Sequence, residues 1–270
     1  MAIVFKVKPW YKPKKKEYKG IWVPKDWSSL TSIYGYDIWT DGTEVYYSEG
    51  YSQYVLDRAT SSWNSKNWSG LTNFDSQYYI WTDGTDMYYS KEGTPPYISA
   101  KHYVLNKVTS TWSKKTWSGL TNFSGSYIWK DGDHIYYSNG ATQYVLDKQT
   151  STWTAKTWTG LTSFYGNYIW TDGTDIYYSY GTAQYVLNKS TSTWTAKTWT
   201  GLTRFDGSSV WTDGTNIYCS NGYVQYILDK STSTWSEKTW SGLTSFSGSY
   251  IWKDGDHIYY SNGTDQYELT

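Results

Sequence analysis

The chain has 270 residues and a formal charge of zero, with 24 Lys or Arg balanced by 24 Asp or Glu. Aromatic residues make up 21% and charged residues only 18%, which excludes a disordered chain, since disorder goes with few aromatics and much charge. No apolar run reaches the roughly 18 residues of a membrane helix, and the single Cys219 excludes an internal disulfide framework.

The first segment, residues 1–19, reads as a basic extended arm. Residues 1–20 hold seven Lys and one Glu, so the charge of the rest is negative by the same amount. Ala2-Ile3-Val4-Phe5-Lys6-Val7-Lys8 is β-prone, and Pro9 and Pro13 keep the next stretch extended. Residues 2–8 are therefore expected to add a strand to a docking partner or to pack on the chain's own outer strands. Nothing at the N-terminus has the apolar core of a signal peptide, which sets the expectation of a cytoplasmic or virion-associated protein. The basic stretch is short and the remainder adds no basic stripe, so nucleic acid is not an expected partner.

From residue 20 onward one phrase returns six times, (Ile/Val)-Trp-(Thr/Lys)-Asp-Gly, with its Trp at 39, 81, 129, 170, 211 and 252. The steps are 42, 48, 41, 41 and 41 residues. A fixed period of that length means stacked supersecondary units. In the fourth unit, residues 168–171 read as a strand, Asp172-Gly173 as a tight hairpin turn, and 175–179 and 184–188 as the next strands. Residues 194–202 read as a fourth strand. Four antiparallel strands in about 41 residues describe a blade, and no segment shows capped helical periodicity. The expected fold is all-β, a six-bladed β-propeller over residues 20–270. The chain ends on a third strand, Gln266-Tyr267-Glu268-Leu269, and residues 21–30 match a fourth strand that has no third before it. The two are expected to share one blade and close the ring.

The Asp-Gly turn followed by Ile-Tyr, as in Asp172-Gly173 with Ile176-Tyr177, and the later Tyr144-Val145-Leu146-Asp147 with Thr152-Trp153, resemble the kelch-repeat β-propellers over about residues 20–270. The chain departs from that pattern where paired glycines follow the second strand, since only Gly140 or Gly222 stands there. The resemblance implies the fold and almost nothing about function. It also implies that the loops from strand four to strand one and from strand two to strand three share one face.

A second symmetry lies within the first. The residue after the Phe or Ile of each long loop is Tyr34, Asp75, Ser124, Tyr165, Asp206 and Ser247, a period of three units, and residues 124–140 are identical to 247–263. A site on one half is therefore expected to have a counterpart half a turn away.

Most Trp and Tyr are expected between blades, where flat rings fill the wedge. Cys219, standing where the other units have Tyr47, Tyr89, Tyr137, Tyr178 and Tyr260, is expected as a buried space-filler. The six turn aspartates, Asp41, Asp83, Asp131, Asp172, Asp213 and Asp254, are expected to make turns rather than to bind metal, and no cofactor is expected. The opposite face is rich in Tyr, Ser, Gly and Asn, the composition of adaptable recognition loops. Its candidate ligand-binding residues are Arg204, Tyr34, Tyr165, Asp75, Asp206, Tyr51, Tyr97, Tyr180, Tyr223 and Asn167. Arg204 stands out because the other units have Ser or Asn there, and the second unit carries an insertion within 91–101.

No converging acid–base set is evident. The three His, His102, His134 and His257, fall in different units, against the copper radical oxidases among kelch-like proteins. Sialic-acid epimerases, also six-bladed, are the better enzymatic alternative. The expected function is a non-catalytic module recognising a glycan or a protein, as in a phage or cell-surface adhesion component. The competing expectation is a structural part docked through the arm.

Overall fold

The computed structural model describes residues 18–74, 79–93 and 99–270. Residues 1–17, which include the proposed docking strand, and the candidates Asp75 and Tyr97 lie outside the described residues.

Six sheets of four antiparallel strands form a propeller ring. Blade one runs Ile38–Thr40, Val45–Glu49, Ser52–Asp57 and Ser62–Ser65, and blade two Ile80–Thr82, Met87–Lys91, Lys101–Asn106 and Thr111–Lys114. Blade three runs Ile128–Asp131, His134–Gly140, Thr142–Asp147 and Thr152–Ala155, and blade four Ile169–Thr171, Ile176–Tyr180, Ala183–Asn188 and Thr193–Ala196. Blade five runs Val210–Thr212, Ile217–Asn221, Val224–Asp229 and Thr234–Glu237. Blade six takes Ile251–Asp254, His257–Gly263 and Asp265–Leu269 from the end of the chain and Trp22–Pro24 from its beginning, with Trp22 opposite Leu269. The closure expected from the two incomplete fragments is thus present.

The core is divided among six seams, and each apolar cluster draws on two neighbouring blades. At the seam of blades four and five, Trp170 stacks on Tyr177 with ring centroids 4.4 Å apart, and Trp199, Phe205 and Trp235 close around them. Burying one such ring contributes about 2–3 kcal/mol. Period-2 alternation explains the arrangement, because successive side chains of a strand face opposite neighbours. The second strands are buried on both faces and carry no charge at their centres.

The outer strand is shorter than the sequence suggests. In blade four it ends at Ala196, and the chain then crosses into the next seam. Lys197 Nζ lies 4.8 Å over the Trp199 ring and donates to Ser233 Oγ at 2.7 Å, while Thr200 pairs with Thr234 of blade five in parallel. Burial of Trp199 between blades outweighs continued pairing. A glycine follows in five of the six crossings. A Cβ on Gly201 (φ +78°) would lie 1.8 Å from the Trp235 carbonyl oxygen. At the seam of blades six and one, Ser29 takes this place at φ 73°. The bond from Trp63 N to Ser28 O is stretched there to 3.2 Å, against 2.8–2.9 Å for the equivalent Trp donors elsewhere.

Helical structure was not expected, yet one-turn 3-10 segments precede several first strands, as at Gly35–Asp37, Gly166–Tyr168 and Gly207–Ser209. Three residues are too few to leave a periodic signal. Their glycines are required by contact: a Cβ on Gly207 would meet the Tyr168 carbonyl oxygen at 2.1 Å. These turns touch from blade to blade, which places the first strands nearest the axis.

The face with the Asp-Gly turns is stapled. Asp172 Oδ1 accepts from the N–H groups of Thr174 and Asp175, and Asp41, Asp83 and Asp213 do the same in their own turns. A cation from the following blade caps most hairpins: Lys107 on the Asp41 carbonyl, Lys148 on that of Asp83, Lys189 on Asp131, Lys230 on Asp172, and Arg58 bidentate on Asp254. At the seam of blades five and six, Tyr18 packs against the apolar cluster and donates to the Asp256 carbonyl at 2.5 Å. No helix among the described residues is long and apolar enough to cross a membrane.

Candidate functional site

On the opposite face the two expected loop sets do lie together. Phe205 N donates to Gly181 O, Gln184 Nε2 to Phe205 O, and Gly181 N to Asp206 Oδ1 at 2.9 Å, which ties the strand-two loop of blade four to the long loop entering blade five. Beside this junction opens a depression of about 1110 Å³ between blades four, five and six. That is at or slightly above the usual size of small-molecule sites, about 300–1,000 Å³.

At the depression blade five departs from the repeat. In blades two, three, four and six the residue before the first strand and its neighbour on the second strand are both tyrosines. The pairs are Tyr79 with Tyr89, Tyr127 with Tyr137, Tyr168 with Tyr178 and Tyr250 with Tyr260, edge to face at 5.5–6.4 Å. Blade five has Ser209 and Cys219. The Ser209 hydroxyl donates to the Asp206 carbonyl and lies 3.4 Å from the thiol. Cys219 is fully buried, as expected, but it has this neighbour, which the sequence reading did not give it. Burial pushes its thiol up to about 12, which keeps it protonated near neutral pH.

A hydrogen bond changes with the rings. In five blades the strand-one Trp donates its indole N–H to the strand-two Ser, as Trp170 does to Ser179 at 2.9 Å. In blade five Ser220 has turned away. It donates to Gln225 Oε1 and accepts from Gly248 N, leaving the buried Trp211 N–H without a partner among the described residues.

Of the sequence candidates, Arg204, Asp206, Tyr180 and Tyr223 line the depression. Tyr34 stacks on Tyr36 at 5.3 Å, and both rings reach Tyr250, which does line it. On the other side Tyr165 meets Tyr168, and Tyr168 lies 4.6 Å from Tyr180. Two tyrosine walls thus flank the opening. Asn167 belongs to the Gly166–Tyr168 turn outside the lining, and Tyr51 projects from blade one, 78% exposed and away from it. The sequence reading did not single out Ser208, Ser209, Ser220, Ser249 and Asn262. The signal was the double loss of Tyr at 209 and 219, visible in the repeat alignment.

Among the described residues no three His, Cys, Asp or Glu side chains are grouped to hold a metal ion. His257 is exposed and bonded to Glu268, and His102 is stacked on Phe123.

No protein-family model and no curated protein matches the sequence. Solved structures do match its fold. One, described as the extracellular domain of a hybrid two-component system from B. thetaiotaomicron, is 12% identical with a TM-score of 0.52, over 86% of this chain and 33% of that one. Another, described as the extracellular domain of a one-component system from the same organism, is 8% identical with a TM-score of 0.55, over 94% of this chain and 43% of that one. The chain therefore spans less than half of these neighbours, and at such identity the likeness is one of fold, here a propeller of six blades.

Proposed function

We propose that the chain is a non-catalytic recognition module that binds a saccharide in the depression between blades four, five and six. The observation that carries this reading is the coincidence of three departures from the repeat at one opening. The ring pair, the Trp–Ser bond and the Arg204 substitution all change where the depression opens. Aromatic walls with Ser and Asn side chains between them suit a pyranose, whose C–H faces stack on rings and whose hydroxyls need donors and acceptors. Half a turn away blade two keeps Tyr79 and Tyr89, so the duplicated halves differ here and the reading is one site per chain. That the structural neighbours are described as extracellular domains of signalling systems supports a recognition role.

The test restores the repeat. Ser209→Tyr with Cys219→Tyr installs the pair that four other blades carry, so the variant should melt at or above the parent temperature. A saccharide found on a glycan array and titrated calorimetrically should bind the parent at one per chain and lose binding to the variant. Undiminished binding to a folded variant would place the site elsewhere.

A further inference from the structure

The depression holds one cation and one carboxylate that do not neutralise each other. Arg204 is exposed, lines the opening and forms no ion pair or hydrogen bond among the described residues. Asp206, two residues on, is held away from it by the Gly181 N–H on Oδ1. The equivalent positions in the other blades are Ser32, Asn73, Asn122, Ser163 and Ser245, so the guanidinium is peculiar to this opening. Ser208 is a second unpartnered group: only 5% exposed, it lines the depression, and its hydroxyl has no hydrogen-bond partner among the described residues. The missing ring at Ser209 leaves room for a six-membered ring beside Tyr250 and Tyr180.

Resting on the saccharide reading above, we infer that the preferred ligand is a uronic-acid-type sugar, with its ring beside Ser209, its carboxylate on Arg204 and its hydroxyls toward Asp206 and Ser208. A guanidinium presents parallel N–H donors that fit a carboxylate in bidentate fashion, and charged hydrogen bonds of this kind are roughly twice as strong as neutral ones. A neutral sugar keeps the stacking and the hydroxyl contacts but gains from the guanidinium only the weaker bond to a neutral oxygen.

The experiment compares oligosaccharides ending in glucuronate or galacturonate with their glucose and galactose counterparts, by calorimetry on the full chain. The acidic ligands should bind about tenfold more tightly at low salt, with the advantage shrinking as salt is raised. Arg204→Ser, the residue of other blades, should erase that advantage by weakening the acidic ligands more than the neutral ones, and Arg204→Lys should retain part of it. Equal affinities in the parent, or an acidic preference that survives Arg204→Ser, overturns the assignment and leaves the saccharide site standing. Absence of binding by acidic and neutral ligands alike overturns both.

Discussion

At Ser29 a single side chain carries a cost that five glycines avoid. Left-handed backbone costs an L-residue about 1–2 kcal/mol, and the Cβ also opens the neighbouring bond from Trp63 to Ser28. Ser29→Gly is therefore expected to stabilise the protein by about 1 kcal/mol, read as a shift in chemical-denaturation midpoint at unchanged slope. Gly201→Ala should act in the opposite sense by more than that, because its methyl would collide with the Trp235 carbonyl. If both changes are silent, the crossing segments have freedom that their close approach denies. At this scale the sequence was partly legible. Asp172 as a turn-former and Cys219 as a buried residue could be read from residue type and repeat position. The turned Ser220 could not, because a rotamer choice between Trp211 and Gly248 leaves no trace in composition.

Among the elements, the outer strand of blade six has the most to hold. Trp22 is buried against Trp211, Trp240 and Phe246, the last at 5.3 Å, and its strand is only three residues long. Trp22→Ala should cost about 3–5 kcal/mol, measured by urea unfolding, and should loosen both ends of the chain together. Removal of residues 266–270 should be more severe still, since it strips the strand between Trp22–Pro24 and His257–Gly263. Blade count, strand order and closure were legible because hydrophobic alternation and turn chemistry are local and repeated six times. The ends of the outer strands were not. Whether Trp199 continues a sheet or enters a seam depends on a neighbouring blade, and no local pattern distinguishes the two. The 3-10 turns escaped for a related reason, being fixed by the preceding blade's carbonyl rather than by their own residues.

For the whole molecule, the six seams share a dependence on neutral tyrosines. Burial pushes the Tyr18 and Tyr137 hydroxyls up to about 12, and burial followed by the charge of nearby turn carboxylates raises Tyr46, Tyr88, Tyr177 and Tyr218 further. Values raised in the folded state mean that the stabilisation is complete below the ordinary tyrosine value of about 10 and is lost as pH climbs through 12. Unfolding in alkali should accordingly be cooperative, with tyrosinate absorbance and near-ultraviolet dichroism changing together. A gradual ionisation with the dichroism intact would show that the seams open to solvent. The pairing of Trp22 with Leu269 has another consequence, for the order of events on the ribosome. The strand that seals the ring precedes the five complete blades and its partner follows them, so those blades can assemble during synthesis while the sealing strand waits. Because every blade offers a third strand of similar sequence, that waiting strand can pair early with the wrong one, and the interval before its own partner is made becomes a determinant of yield.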